Sequence, residues 1–291
     1  MIKILNPFIE IIKPRIVFLV IITTYLGYYL GLRSINSHML LLNEWVVFFH
    51  LIFGTFLTCA SACALNQTLE YKYDKKMDRT KDRPVPNGKI SFNIGLIYSI
   101  LMGLLGVAYL YVFTNIYTSL LSLITILFYI LVYTPLKRYT VYNTIVGAIP
   151  GALPPVGGWF AATNEISLTL FLIFSILFTW QIPHFLSLAY IYSEDYERGG
   201  FKMLPNIYSD TLHTKAHILF FSFCMFSVTI GLYLNNTVGI IYLLGSSILG
   251  LISLYFMLIF LINDNIKNAR NLFITTIIYL PVILVLTIIN S

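Results

Sequence analysis

Charge is confined to a few places along this chain, and the intervals between them are long and apolar. Marking every Asp, Glu, Lys and Arg leaves the runs 16–32, 45–69, 90–136, 139–164, 166–193, 216–263 and 271–291 uncharged. A helix needs about 20 apolar residues to cross a bilayer. The runs 90–136 and 216–263 are long enough for a hairpin of two helices each, and Thr114-Asn115 and Asn235-Asn236 supply polar breaks near their middles. The pattern therefore predicts an all-α membrane protein of nine transmembrane helices.

The connections differ on the two sides. Four are short (Arg33–Glu44, Thr114–Tyr117, Thr163–Glu165 and Asn235–Thr237), whereas 66–91 and 190–214 are long and charged. Both long connections come after an even-numbered span, which hints at two halves contributing matching loops. In the first, Cys59–Met77 has no proline and predicts a second helix running on past the membrane. Pro84, Pro86 and Asn87-Gly88 then break it, and Ser91 is placed to cap the third span. In the second, Gly199-Gly200 interrupts before a short apolar re-entry at Met203-Leu204-Pro205. The fifth span opens with the Gly- and Pro-rich run 147–159, which is broken backbone lining a cavity or else very close helix packing.

Charge tests the count. With nine spans, seventeen of the eighteen Lys and Arg residues fall on the N-terminal side of the membrane, and only Arg33 falls on the other. By the positive-inside rule the N-terminus is cytoplasmic and the C-terminus external. Composition agrees: 58% of residues are hydrophobic and 10% charged, which excludes an ordinary soluble domain. The net charge of +6 then reports topology and an anionic lipid surface, not nucleic acid. Met1–Arg15 leads straight into a full span, so neither a cleavable signal nor an Arg- and Ser-rich presequence is expected. Cys59, Cys63 and Cys224 lie inside spans, where they read as small packing residues and not as a zinc site.

Asn66–Ser91 carries eleven of the thirty charged residues. Glu70, Asp74, Asp78 and Asp82 recur every fourth residue, so on a helix they would share one slowly drifting face, with Asn66 a turn earlier. Oxygen donors at that spacing suit a hard divalent cation, and Asn66, Glu70, Asp74 and Asp78 are candidate metal ligands. Arg79-Thr80-x-x-Arg83-Pro84 comes directly after, and forked cations suit phosphate oxygens. The bland alternative is a solvated helix end laced with i,i+4 ion pairs. Near the end of the sixth span, Trp180, His184 and Leu188 share a face, with Pro183 loosening the helix. An ionisable residue inside a membrane marks a functional position by default.

The stretches NQTLEYKYDKKMDRTKDRPVPNGKIS, YTPLKRYTVYNTIVGAIPGALPPVGGW and WQIPHFLSLAYIYSEDYERGGFKMLP resemble the UbiA superfamily of intramembrane prenyltransferases, in particular the branch that farnesylates haem. The resemblance spans essentially the whole chain. It implies a single prenyltransferase domain over 1–291, a helical bundle around a central cavity, and Mg2+ as the metal. Farnesyl diphosphate and haem b would be the substrates. The product would pass to a haem A synthase or a terminal oxidase, and the site would be a bacterial inner (cytoplasmic) membrane.

The superfamily motif Asn-x3-Asp-x3-Asp falls on Asn66, Glu70 and Asp74, with Glu70 in place of an aspartate. Of the second motif, Asp-x3-Asp, Asp195 matches the last acid, while Ile191 stands where the first would be. The resemblance adds Asp195 to the metal ligands and assigns Arg79, Thr80, Arg83 and Lys202 to the diphosphate, with Lys137 and Arg138 as further candidates. WQIPHF gives His184 a haem-related role: ligating iron, orienting a propionate or moving a proton. Two other readings stay open, an aromatic prenyltransferase of the same fold and a transporter.

Overall fold

The computed structural model describes residues 2–37, 41–208 and 210–291, and the side chains from position 6 onward within these; Lys3 as a side chain and His38 lie outside the described residues. Among the described residues there are nine helical spans, at Pro14–Ser34, Leu42–Leu69, Phe92–Phe113, Ile116–Leu136, Asn143–Ala162, Leu168–Ile191, Leu212–Leu234, Ile240–Ile262 and Ile266–Asn290. The protein is a multi-pass membrane protein. Both uncharged hairpins break where their polar pairs fall. Asn115 caps one helix by accepting from the Thr118 amide at 2.8 Å, and Asn236 takes the left-handed conformation that ends another.

In chain order the helices are α1 (Ile2–Ile11), α2 (Pro14–Ser34), α3 (Leu42–Leu69), the single turn α4 (Tyr71–Asp74), α5 (Phe92–Phe113) and α6 (Ile116–Leu127). A π-helical stretch (Phe128–Tyr133) runs into α7 (Thr134–Leu136). Then come α8 (Asn143–Ala152), α9 (Pro154–Ala162), α10 (Leu168–Ile191), α11 (Ser193–Gly199), α12 (Leu204–Ile207), α13 (Leu212–Leu234), α14 (Ile240–Ile262) and α15 (Ile266–Asn290). The chain forms two compact units, one of 1–138, 153–165 and 198–201, the other of 139–152, 166–197 and 202–291. The fifth span is divided between them, because it breaks at Leu153, just ahead of Pro154 and Pro155.

Within the first unit, small residues let backbones approach. Gly95, Ser99 and Gly103 repeat every fourth position on α5 and meet Thr68 and Ser61 of α3, with the Ser61 hydroxyl donating to the Ser99 carbonyl at 2.7 Å. A Cβ at Gly158 of α9 would stand 2.0 Å from the Thr24 carbonyl oxygen of α2. In the second unit a Cβ at Gly151 of α8 would meet the Gln181 side chain at 1.9 Å. At these two positions the Gly-rich fifth span serves close packing. The short N-terminal helix α1, which the apolar pattern did not resolve from its charged surroundings, tucks Ile11 and Ile12 against Ala60, Ala64, Val85 and Ile90. The core of the second unit is built from Ile182, Leu186, Leu204, Ile218, Met257, Phe260 and Leu272.

Candidate active site

The second span does not run on to Met77. Helix α3 ends at Leu69, α4 adds one turn, and the chain then reverses through turns to Ser91, whose hydroxyl caps α5. The reason lies at Asp74. The amides of Lys76 and Met77 bond only three residues back, to the Tyr73 and Asp74 carbonyls, and the Asp74 carbonyl also accepts the Thr80 hydroxyl at 2.8 Å, so the helix gives way to turns there. Thr80 is buried and holds the turn, rather than offering its hydroxyl proton to phosphate as expected. Gln67 pins the returning chain by accepting from the Val85 amide at 3.3 Å.

This turn separates the four acids. Asn66, Glu70 and Asp74 are buried, whereas the Asp78 side chain is 60% exposed and pairs with Lys81 at 2.6 Å and Arg198 at 2.7 Å. Asp78 is therefore an ion-pair partner outside the buried set, which corrects its assignment as a metal ligand. Arg79 is exposed, as is Asp82.

The buried set is densely cross-linked by cations. Arg83 Nη1 donates to Asp74 Oδ2 at 2.8 Å, and Lys137 Nζ donates to Glu70 Oε2 at 2.8 Å. Glu70 Oε1 lies 2.8 Å from the same ammonium, so Lys137 faces both oxygens of this buried carboxylate. Asn66 donates to Glu70 at 2.8 Å and to the Thr134 hydroxyl at 3.2 Å, and its Oδ1 accepts from Lys13 at 3.3 Å. Lys137 also lies over the Tyr133 ring at 4.7 Å, and Arg138 donates to the Tyr73 hydroxyl at 2.7 Å. The π-helical stretch brings Thr134 and Lys137 here: one extra residue in the turn re-aims the side chains beyond it, and such bulges cluster at functional sites.

Lys13 was counted in the sequence only for topology. Left-handed at φ 54°, it breaks the chain between α1 and α2 and turns its ammonium onto Asn66. Burial pulls its pKa below the ordinary lysine value, and repulsion from Arg83 adds to this. Nothing in the sequence pairs it with a residue 53 positions away.

The donors fit magnesium. They are oxygens, two buried carboxylates and a buried amide, not a closed cage. Among the described residues no group of three or more His, Cys, Asp or Glu side chains could hold a metal unaided. Mg2+ characteristically takes one or two carboxylates and completes its shell from water and substrate phosphate.

In the second unit, Asp195 is buried, whereas Glu194, Glu197 and Lys202 are exposed. The Lys202 backbone carbonyl accepts from Asn143 at 2.6 Å. His184 is stacked between Trp180 and Phe273, each with its ring centroid 4.7 Å away, and its Nδ1 lies 2.9 Å from the Thr276 hydroxyl.

Residues 20–280 match the model of the UbiA prenyltransferase family. The chain belongs to this family. Among UbiA relatives, it is 35% identical over 281 residues to a protoheme IX farnesyltransferase of Solibacter usitatus, covering 96% of each chain. It is 37% identical over 279 residues to a protoheme IX farnesyltransferase of Salinibacter ruber, again covering 96% of each. In fold it is similar to a digeranylgeranylglyceryl phosphate synthase structure (TM-score 0.77, 20% identity, 99% of this chain and 98% of the other). It is also similar in fold to a UbiA homologue from Archaeoglobus fulgidus bound to GPP and Mg2+ (TM-score 0.61, 15% identity, 97% and 99%). The first UbiA motif thus has a buried residue at each of its three positions, Asn66, Glu70 and Asp74. Of the second, only Asp195 is an acid.

Proposed function

We propose that this chain, acting over 1–291 as one catalytic domain in a bacterial inner membrane, transfers the farnesyl group of farnesyl diphosphate to a vinyl group of haem b. Water adds in the same reaction, and the products are haem O and diphosphate. The observation that carries the reading is the buried Glu70–Asp74 pair with three cations crowded onto its surroundings. The relatives named protoheme IX farnesyltransferase support the choice of substrates, and the UbiA homologue bound to GPP and Mg2+ supports the metal.

Asn66, Glu70 and Asp74 would hold magnesium, and the family's second motif makes Asp195 a further candidate acid. Bound there, the metal neutralises negative charge on the departing diphosphate. Lys137, Arg83 and Lys13, now spent on Glu70, Asp74 and Asn66, are the cations available to phosphate oxygens, with Arg138 half-buried like them and Arg79 and Lys202 exposed. Thr80 keeps Asp74 and Arg83 in register by fixing the turn between them. The allylic carbon–oxygen bond breaks with its electron pair leaving on diphosphate. The haem vinyl group supplies the pair for the new carbon–carbon bond. Water captures the resulting cation beside the porphyrin and releases a proton. The apolar spans exclude bulk water from the allylic cation.

The test is purified protein in detergent with farnesyl diphosphate, haem b and Mg2+, the product read by mass. A haem heavier by one farnesyl group and one water, less the proton lost, supports the proposal. Prenylated hydroxybenzoate or naphthoate in a parallel reaction, with unmodified haem, would replace it with the aromatic reading; no product on either acceptor would remove the enzyme reading.

A further inference from the structure

The histidine in the second unit is a more specific device than its sequence suggests. Thr276 is fully buried, and its hydroxyl lies 2.6 Å from the Phe273 carbonyl, which can only accept. The single hydroxyl proton is therefore committed to Phe273. His184 Nδ1, 2.9 Å from the same oxygen, must then carry the proton of that contact and donate it. Thr276 thus selects one tautomer, Nδ1–H, and leaves the lone pair on Nε2.

Three more contacts hold the ring. Trp180 and Phe273 cover its faces at interplanar angles of 20° and 26°, and the edge of Phe185 meets it at 67°. Trp180 is itself anchored, its indole N–H donating to the Thr276 carbonyl at 2.7 Å. Nε2 makes no hydrogen bond among the described residues. A neutral imidazole with one nitrogen tied down and the other free is the arrangement found in metal-ligating histidines, where the second nitrogen's partner fixes ring orientation and raises basicity. A packing histidine would have both nitrogens satisfied or its ring free to turn.

We propose that His184 Nε2 is an axial ligand to the iron of the haem substrate, and that Thr276 is the positioning residue that sets its tautomer. This rests on the function proposed above and adds to it the anchoring atom of the acceptor. Iron ligation would fix the porphyrin's depth and tilt without touching the vinyl group that reacts, and prenylation leaves the iron unchanged.

The experiment uses the full-length protein with ferric haem b, read by pulsed electron paramagnetic resonance with and without 15N-histidine labelling. The wild type is expected to show a hyperfine coupling that changes with the label. His184→Asn keeps a side-chain N–H for Thr276 and loses the ligating nitrogen, so the coupling should vanish while the protein stays monodisperse. In His184→Ala, added imidazole should restore a nitrogen-ligated spectrum. Thr276→Val should keep the coupling and weaken haem binding by about tenfold, the scale of losing a ligand's supporting hydrogen bond. A coupling that persists in His184→Asn overturns the proposal. So does a wild type that prenylates haem without any histidine coupling, and that result leaves the proposed function standing. A wild type that ligates haem through His184 yet never prenylates it overturns the function alone.

Discussion

Asp74 is the residue on which the proposed chemistry concentrates. Its side chain is 2% exposed and paired with Arg83, and its carbonyl anchors Thr80. Asp74→Asn keeps the shape and the carbonyl but removes the charge, so the protein should insert and elute normally while turnover falls by about a hundredfold or more, in line with losing a group that stabilises developing charge. Full activity in that variant would take Asp74 out of the site. Lys13 allows the opposite test. Because burial disfavours its ammonium, Lys13→Met should melt no lower than wild type while KM for farnesyl diphosphate rises severalfold, measured by thermal unfolding and steady-state kinetics. Asn66, Glu70, Asp74 and Arg83 were legible in the sequence because their motif is local. Lys137 reached only secondary rank, since its partner Glu70 is 67 residues away. Asp78 falls away from the buried set because an i+4 pattern says nothing about where a helix stops, and here the chain turns just after Asp74.

Among the elements, the spans were readable to within about five residues of their ends, since the apolar runs and their polar breaks leave little freedom. The break at Leu153 falls inside the Gly- and Pro-rich run 147–159, where a local signal allowed for it, whereas the π-helical Phe128–Tyr133 and the short helix α1 carried no such signal. The close approach of α2 and α9 predicts that Gly158→Ala destabilises the protein by about 1–3 kcal/mol through overpacking, read as a lowered Tm. In the second unit, Asp264 ties the start of α13 to the turn before α15: Thr211 donates to its carboxylate, Lys215 pairs with it at 3.2 Å, and Tyr190 donates to its carbonyl. The Thr211 hydroxyl, then Lys215, pulls its pKa below the ordinary 3.8. A carboxylate with a depressed folded pKa contributes stability fully present above its unfolded value, here 3.8, and lost as pH falls through the lower folded value. The wild-type Tm should therefore fall more steeply than that of Asp264→Asn below about pH 4; parallel curves would deny the clamp.

For the whole molecule, the distribution of basic residues predicts sidedness. In intact cells, a cysteine introduced as Ser291→Cys should react with an impermeant maleimide from outside, and Asn87→Cys only after the membrane is opened; the reverse pattern would invert the topology. Family membership sets the fold and the class of chemistry, but the claim that the rest depends on is that buried carboxylates assist departure of diphosphate. Release of diphosphate from farnesyl diphosphate, monitored in the presence of haem b with and without chelator, tests it most directly. Release should require both Mg2+ and the Asp74 carboxylate, stopping on chelation and in Asp74→Asn, and returning when Mg2+ is restored to wild type. Release at the same rate in chelator, or undiminished in Asp74→Asn, would contradict the account.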